Sequence, residues 1–176
     1  MMNFFALSGL INAITSTALC VFIYSRKRKE LLYRTYVLFC LSVALWSYFY
    51  FAWQIAKTEE LALIFVRMSM AAAVFIPVFY LHHILELLKI AEKKKRLIIS
   101  GYIFAFISLI FNFTPYFIRS VSPKLYFEYW PNPGIAFDVF FLICFYLVIY
   151  SIRIIFTAFK QASGFRRNQL KYVLFA

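Results

Sequence analysis

Glycine and proline are scarce in this chain, with four and five residues out of 176. So few backbone breakers exclude a loop-rich or disordered polypeptide. Charge is also thin: Asp, Glu, Lys and Arg make up 15% of the residues, against about 25% in soluble domains. Cys20, Cys40 and Cys144 each stand alone inside apolar runs. Neither a disulfide framework nor a zinc site is indicated, and small buried hydrophobes is the plain reading. There is no Gly-rich phosphate loop, no G-x-S-x-G elbow and no H-E-x-x-H motif. No polar stretch is long enough to fold a catalytic domain. The sequence therefore argues against an enzyme within these residues, and it calls for no metal and no cofactor.

What is present is apolar. Hydrophobic residues make up 64%, and 23 Phe with 13 Tyr are more aromatic surface than a soluble domain of this size can hide. A bilayer is the solvent that fits. A spanning helix needs about 20 mostly apolar residues, and five segments qualify: 4–24, 36–56, 61–88, 97–117 and 135–159. The third and fifth exceed the minimum, so tilt or protrusion is expected. The first is not a signal peptide, because "MMNFF" lacks a positive n-region and no A-x-A site follows. A sixth apolar run, "LKYVLFA", begins near Leu170 and is cut off at Ala176. The expected fold is an all-α polytopic transmembrane helix bundle with five complete spans and a sixth begun. Residues 1–176 then form one membrane module without an output domain.

A net charge of +12 raises nucleic-acid binding as a rival reading. The arrangement of the charges answers it. Arg26, Lys27, Arg28, Lys29 and Arg34 follow the first span; Lys89, Lys93, Lys94, Lys95 and Arg96 surround the end of the third. Arg153, Lys160, Arg166, Arg167 and Lys171 lie around the end of the fifth. Alternate connections thus hold fifteen of the nineteen cations. The other connections hold Lys57, Arg119 and Lys124, and Arg67 lies within the third span. Recurrence at membrane-helix spacing is the positive-inside pattern, not a soluble basic face. It places the N-terminus outside and the basic connections against anionic headgroups in the cytoplasm, at on the order of 1 kcal/mol per charge. No nucleic acid is implied.

The outer side has one longer connection, 112–134, "NFTPYFIRSVSPKLYFEYWPNPG". Pro115, Pro123, Pro131 and Pro133 prevent continuous helix, and Tyr126, Phe127, Tyr129 and Trp130 suit the headgroup level. It reads as an interfacial loop on lipid, or as a flap over an outward pocket. Ionisable groups within spans are costly and need a reason. Arg67, Asp138, Gln54 and Asn112 bring polar groups from four helices to a similar outer depth. They are the candidate ligand-pocket residues, with an Arg67–Asp138 pair reducing the cost of both charges. The alternatives are a structural clamp, or Arg67 snorkelling to the headgroups.

Deeper in the third span, "HHILE" sets His82 and Glu86 four residues apart and His83 and Glu86 three apart, on one helix face. Two His in the whole chain are too few for a membrane di-iron site. Interhelical hydrogen bonding is the default for these residues, and signal coupling is the sharper role. Pro77 removes a backbone hydrogen bond in mid-span and should kink the helix, either as a hinge or to shape the bundle. Ser69 and Ala73 form a small-xxx-small pair that admits a close neighbour.

"LFCLSVALWSYFYF", "RMSMAAAVFIPVFYLHHILELL" and "RRNQLKYVLFA" together resemble the N-terminal seven-helix membrane region of bacterial sensor histidine kinases, a region also carried by some cyclic-dinucleotide synthases. Trp46, Arg67, Pro77 and His82 are the positions that align with that pattern. The resemblance implies a sensory input module of a two-component system, in the bacterial inner membrane, working as a homodimer on an unidentified small ligand. It carries over no catalytic residues. It also implies that helix seven, the phosphoacceptor His and the ATP-binding domain belong to a longer parent chain. A small transporter or permease subunit is the alternative. That reading predicts inverted repeats and helices interrupted at matched positions, whereas Pro77 alone interrupts a span. A lipid-modifying membrane enzyme would need more acid–base or metal-ligating residues gathered on one side.

Overall fold

The structure, a computed structural model, describes residues 4–27 and 29–175. Its elements are α1 (Phe4–Lys27), α2 (Leu31–Gln54), α3 (Glu59–Ala73), α4 (Ile76–Leu87), a 3-10 turn (Glu92–Lys94) and α5 (Lys95–Asn112). There follow β1 (Ile118–Lys124), β2 (Phe127–Pro133), α6 (Ile135–Gln161) and α7 (Gly164–Phe175). Five stretches are long and apolar enough to cross a membrane, with α3 and α4 counting as one. The chain is an all-α helix bundle of the multi-pass membrane type. Phe141, Leu142, Phe145 and Ile149 of α6 are exposed, as are Ile103, Phe106, Ile107 and Ile110 of α5. Helices satisfy their backbone internally, so such side chains are what a bilayer requires on the outside.

Small residues set the closest helix pair. Ala6, Gly9, Ala13 and Ser16 recur three and four residues apart on α1 and are buried against α2. A Cβ added at Gly9 would sit 2.7 Å from the Tyr50 ring. Such seams let backbones approach and polar side chains pair: Asn12 Nδ2 donates to Ser47 Oγ at 2.7 Å. On the far side α2 packs against α3 and α4, α4 against α5 and α6, and α6 against α7. Ser69, from the small-residue pair read in the sequence, is 1% exposed, and its Oγ donates to the Trp46 carbonyl at 3.2 Å.

The third span is broken where proline requires. Pro77 lies in the first turn of α4, a position that needs no N–H donor. The break falls just before it: Val74 N still reaches Met70 O at 3.0 Å, but Phe75 N turns tightly onto Ala72 O at 3.3 Å. At the other end of α3, the Thr58 side chain accepts from Leu61 N, with Glu59 and Glu60 in the first turn.

The structure corrects the sequence reading in four places. The second span begins at Leu31 rather than 36, so Arg34 is helical. The fourth ends at Asn112 rather than 117, because Phe117 and Ile118 are buried in a different cluster. The partial sixth span is helical from Gly164 rather than 170. Most important, the outer connection, expected to lack continuous helix and given no strands, forms an antiparallel hairpin over 118–133; it pairs Ile118 with Pro133, Val121 with Pro131 and Lys124 with Phe127. Prolines survive in it because a two-stranded sheet consists of edge strands. Gly134 closes the junction to α6: a Cβ there would fall onto the Tyr116 carbonyl oxygen, and its N–H donates to Phe117 O at 2.9 Å.

The bundle therefore has two unlike ends. At the hairpin end, Trp53, Ala62, Val66, Val74, Phe117, Ile118, Val121 and Phe140 form one buried cluster. At the opposite end, Ile84, Leu88, Ile155 and Leu170 join α4, α6 and α7. The basic connections after α1, after α4 and after α6 lie at this second end.

Candidate functional site

The hairpin is fastened by groups that α2 and α3 present from their adjoining ends. Trp53, in the last turn of α2, is 6% exposed, and its Nε1 donates to the Tyr129 carbonyl at 2.6 Å. Its ring lies 5.2 Å from Tyr50 edge-on, 6.5 Å from Phe127 and 6.0 Å from Trp130. The Tyr129 hydroxyl donates to Lys57 O at 3.4 Å. Desolvation, then the nearby carboxylates Glu128 and Glu59, push this phenol above its ordinary value. Phe127 also meets Phe5 of α1, ring centroids 4.8 Å apart.

Beneath the hairpin, Arg67 Nη2 donates to Ile118 O at 3.0 Å, and Asn112 Nδ2 donates to Arg67 O at 2.7 Å. Asn112 is fully buried. Arg67 Nε and Asn112 Oδ1 are buried without a protein partner, one donor and one acceptor of the kind a bound water satisfies. Gln54 lines a cavity of about 130 Å³ with Trp53, Ala56, Tyr126, Phe127, Glu128 and Tyr129. Ligand sites for drug-sized molecules run from about 300 Å³ upward, so this space fits only a small polar species or a few waters.

Of the four pocket candidates, Arg67 and Asn112 are joined directly, and Gln54 lies in the cavity under the hairpin turn. Asp138 is brought to neither: it is exposed in the first turn of α6. Arg67 gives its hydrogen bond to the Ile118 carbonyl, and among the described residues no ion pair joins it to Asp138. A similar position along their helices did not bring the two side chains together: Asp138 is exposed, whereas Arg67 is bonded to the base of the hairpin.

Toward the basic end, His82 Nδ1 lies 2.9 Å from the Tyr102 hydroxyl of α5, and its Nε2 lies 3.6 Å from Glu86 Oε1. His83 Nδ1 lies 3.2 Å from Leu32 O and 3.3 Å from Thr35 Oγ1, both on α2. The two His thus tie α4 to both neighbours, with each ring at hydrogen-bond distance. Among the described residues no cluster of three or more His, Cys, Asp or Glu is placed to hold a metal. Sequence reasoning missed Trp53, Thr35 and Tyr102, because each looks like one more aromatic or hydroxyl residue until its partner is known.

Neither a curated protein nor a solved structure matches the chain. The family model for the N-terminal 7TM region of histidine kinase matches residues 9–176. Matched over nearly its whole length, and built as a membrane helix bundle, the chain belongs to the family of N-terminal 7TM regions of histidine kinases, the non-catalytic membrane input part of such enzymes.

Proposed function

We propose that this chain is the sensory input region of a two-component histidine kinase in a bacterial inner membrane, with the hairpin end outside and the basic end in the cytoplasm. In this reading it receives a signal at the outer or membrane face and relays it to a cytoplasmic output domain, working as a homodimer. One observation carries the reading: a single packed line connects the two ends. The hairpin is bonded to Trp53 of α2 and Arg67 of α3. Next, α3 passes through the break at Val74 into α4, and α4 holds α2 and α5 through His83 and His82.

A small ligand received under the hairpin, near Arg67, Asn112 and Gln54, biases two packings of this line by its difference in affinity for them. The distribution of Lys and Arg supports the orientation, and the basic connections sit among anionic headgroups. The permease reading predicts helices interrupted in matched pairs. Among the described spans the α3–α4 break is the single interruption, which favours sensing.

The test is made in the full kinase that carries this region. Trp53→Phe and Arg67→Gln should each shift basal autophosphorylation roughly fivefold or more, the low end of a coupling of about 1–3 kcal/mol, at unchanged membrane abundance. Wild-type basal activity in both variants would contradict the proposal.

A further inference from the structure

At the basic end, one stripe of α6 departs from its apolar surroundings. Tyr150, Arg153, Thr157 and Gln161 follow one another at spacings of three and four residues, so they share a helix face. Arg153 lies about two turns inside the C-terminal end of α6, is exposed and can extend its guanidinium to the headgroup level. The stripe lines an open cleft of about 380 Å³, closed on one side by Arg166 of α7. Ile90, Ile154 and Ala158 give the cleft an apolar floor. Its size falls within the range of about 300–1,000 Å³ usual for small-molecule sites.

The nearby cations are engaged elsewhere. Lys160 lies over the Phe156 ring at 4.6 Å, and Arg167 lies over Phe159 at 5.2 Å. Arg153 and Arg166 have no carboxylate partner among the described residues. Thr157 Oγ1 donates to the Arg153 carbonyl at 2.9 Å, which leaves its oxygen free to accept. Two unpaired guanidinium groups fit a phosphodiester, which they can grip with paired N–H donors. A soluble anion has no use for the apolar floor. An acyl chain does.

We propose that this cleft binds one acidic phospholipid, its phosphate held by Arg153 and Arg166 and one acyl chain laid along Ile90, Ile154 and Ala158. The site stands apart from the hairpin, and it does not rest on the sensory reading. It is also distinct from diffuse attraction of headgroups to the basic connections, because its two Arg face one cleft.

Native mass spectrometry of the detergent-purified full chain, with phosphatidylglycerol and phosphatidylcholine at equal concentration, tests it. The first phosphatidylglycerol should bind about twenty-five-fold better, from two charges at about fivefold each. The paired variant Arg153→Gln, Arg166→Gln should lose the preference, and Arg153→Lys, Arg166→Lys should keep most of it. Lys93→Gln with Lys94→Gln removes the same charge from another connection and should change nothing. Arg166→Gln alone, on exposed α7, should lose about fivefold, which keeps the test open if the paired variant fails to fold. Inorganic phosphate and glycerol phosphate should not displace the lipid. The proposal is overturned if the preference survives Arg153→Gln with Arg166→Gln, or survives Arg166→Gln where that pair does not fold. It is equally overturned if the Lys93 and Lys94 changes reduce it as much, or if a soluble phosphate competes.

Discussion

Replacing Trp53 by Ala should detach the hairpin and leave the bundle standing. The side chain is 6% exposed and touches Tyr50, Phe127 and Trp130, and it also supplies the 2.6 Å bond to Tyr129 O. Truncating a buried Trp costs about 3–5 kcal/mol. That figure already includes the aromatic pairs and the hydrogen bond, so they are not added again. A two-stranded hairpin has little stability of its own, so the loss falls on its attachment. At about 1.4 kcal/mol per factor of ten, amides of β1 and β2 should exchange roughly two to three and a half orders of magnitude faster in proteoliposomes. Amides of α4 and of the half of α6 beyond Leu147 should keep their protection, since the core around Leu81, Leu85 and Leu147 lies apart from the Trp53 cluster. Hydrogen–deuterium exchange by mass spectrometry reads both regions in one sample. Unchanged protection of 118–133 would refute the anchoring role of Trp53. Equal loss in α4 and α6 would refute the idea that the hairpin is a separable cap.

Three further outcomes follow from the same geometry. Leu125, at the hairpin turn, has φ of 55°, a left-handed conformation that costs a non-glycine residue about 1–2 kcal/mol; Leu125→Gly relieves it, less about 0.4–1 kcal/mol for the freedom glycine adds to the unfolded chain, and should slow exchange at Lys124 and Phe127 by roughly threefold. Gly134→Ala drives a methyl group onto the Tyr116 carbonyl and should destabilise the hairpin–α6 junction by about 1–3 kcal/mol, read as a lower thermal midpoint. Gly101→Ala, which meets only Val78 side-chain atoms at 3.3 Å and beyond, should be milder in the same assay. Exchanging Arg67 with Asp138 should fail to rescue either single change, because Arg67 is bonded to Ile118 O; recovery of the wild-type midpoint in the double exchange would restore the ion-pair reading.

The spans were legible because a bilayer forces about 20 apolar residues per crossing, and the break in the third was legible because proline has no N–H to give. Helix ends were less so. Leu31 to Tyr36 carries Arg34, and a window that seeks apolar residues starts too late. The hairpin stayed hidden for physical reasons: Pro123, Pro131 and Pro133 obscure strand alternation, and its turn uses Leu125 where glycine or asparagine would have signalled a reversal. Depth along a helix could be counted from the sequence, which is why Arg67 and Asn112 were found at one level. Rotation about the helix axis could not be counted, so Asp138 was assigned to a pair that it does not make. The α1–α2 seam of Ala6, Gly9, Ala13 and Ser16 was present in the spacing and is the signal that a search for small residues would have caught.

Orientation is the claim on which sensing depends, and single-cysteine labelling tests it most directly. In a chain freed of Cys20, Cys40 and Cys144, Tyr126→Cys sits at the hairpin turn, where the native side chain is 90% exposed. Lys94→Cys sits in the exposed turn before α5. A membrane-impermeant maleimide added to intact cells should label position 126 at once and position 94 only after lysis. Labelling of position 94 in intact cells, with 126 protected until lysis, would invert the bundle and contradict an outward-facing hairpin.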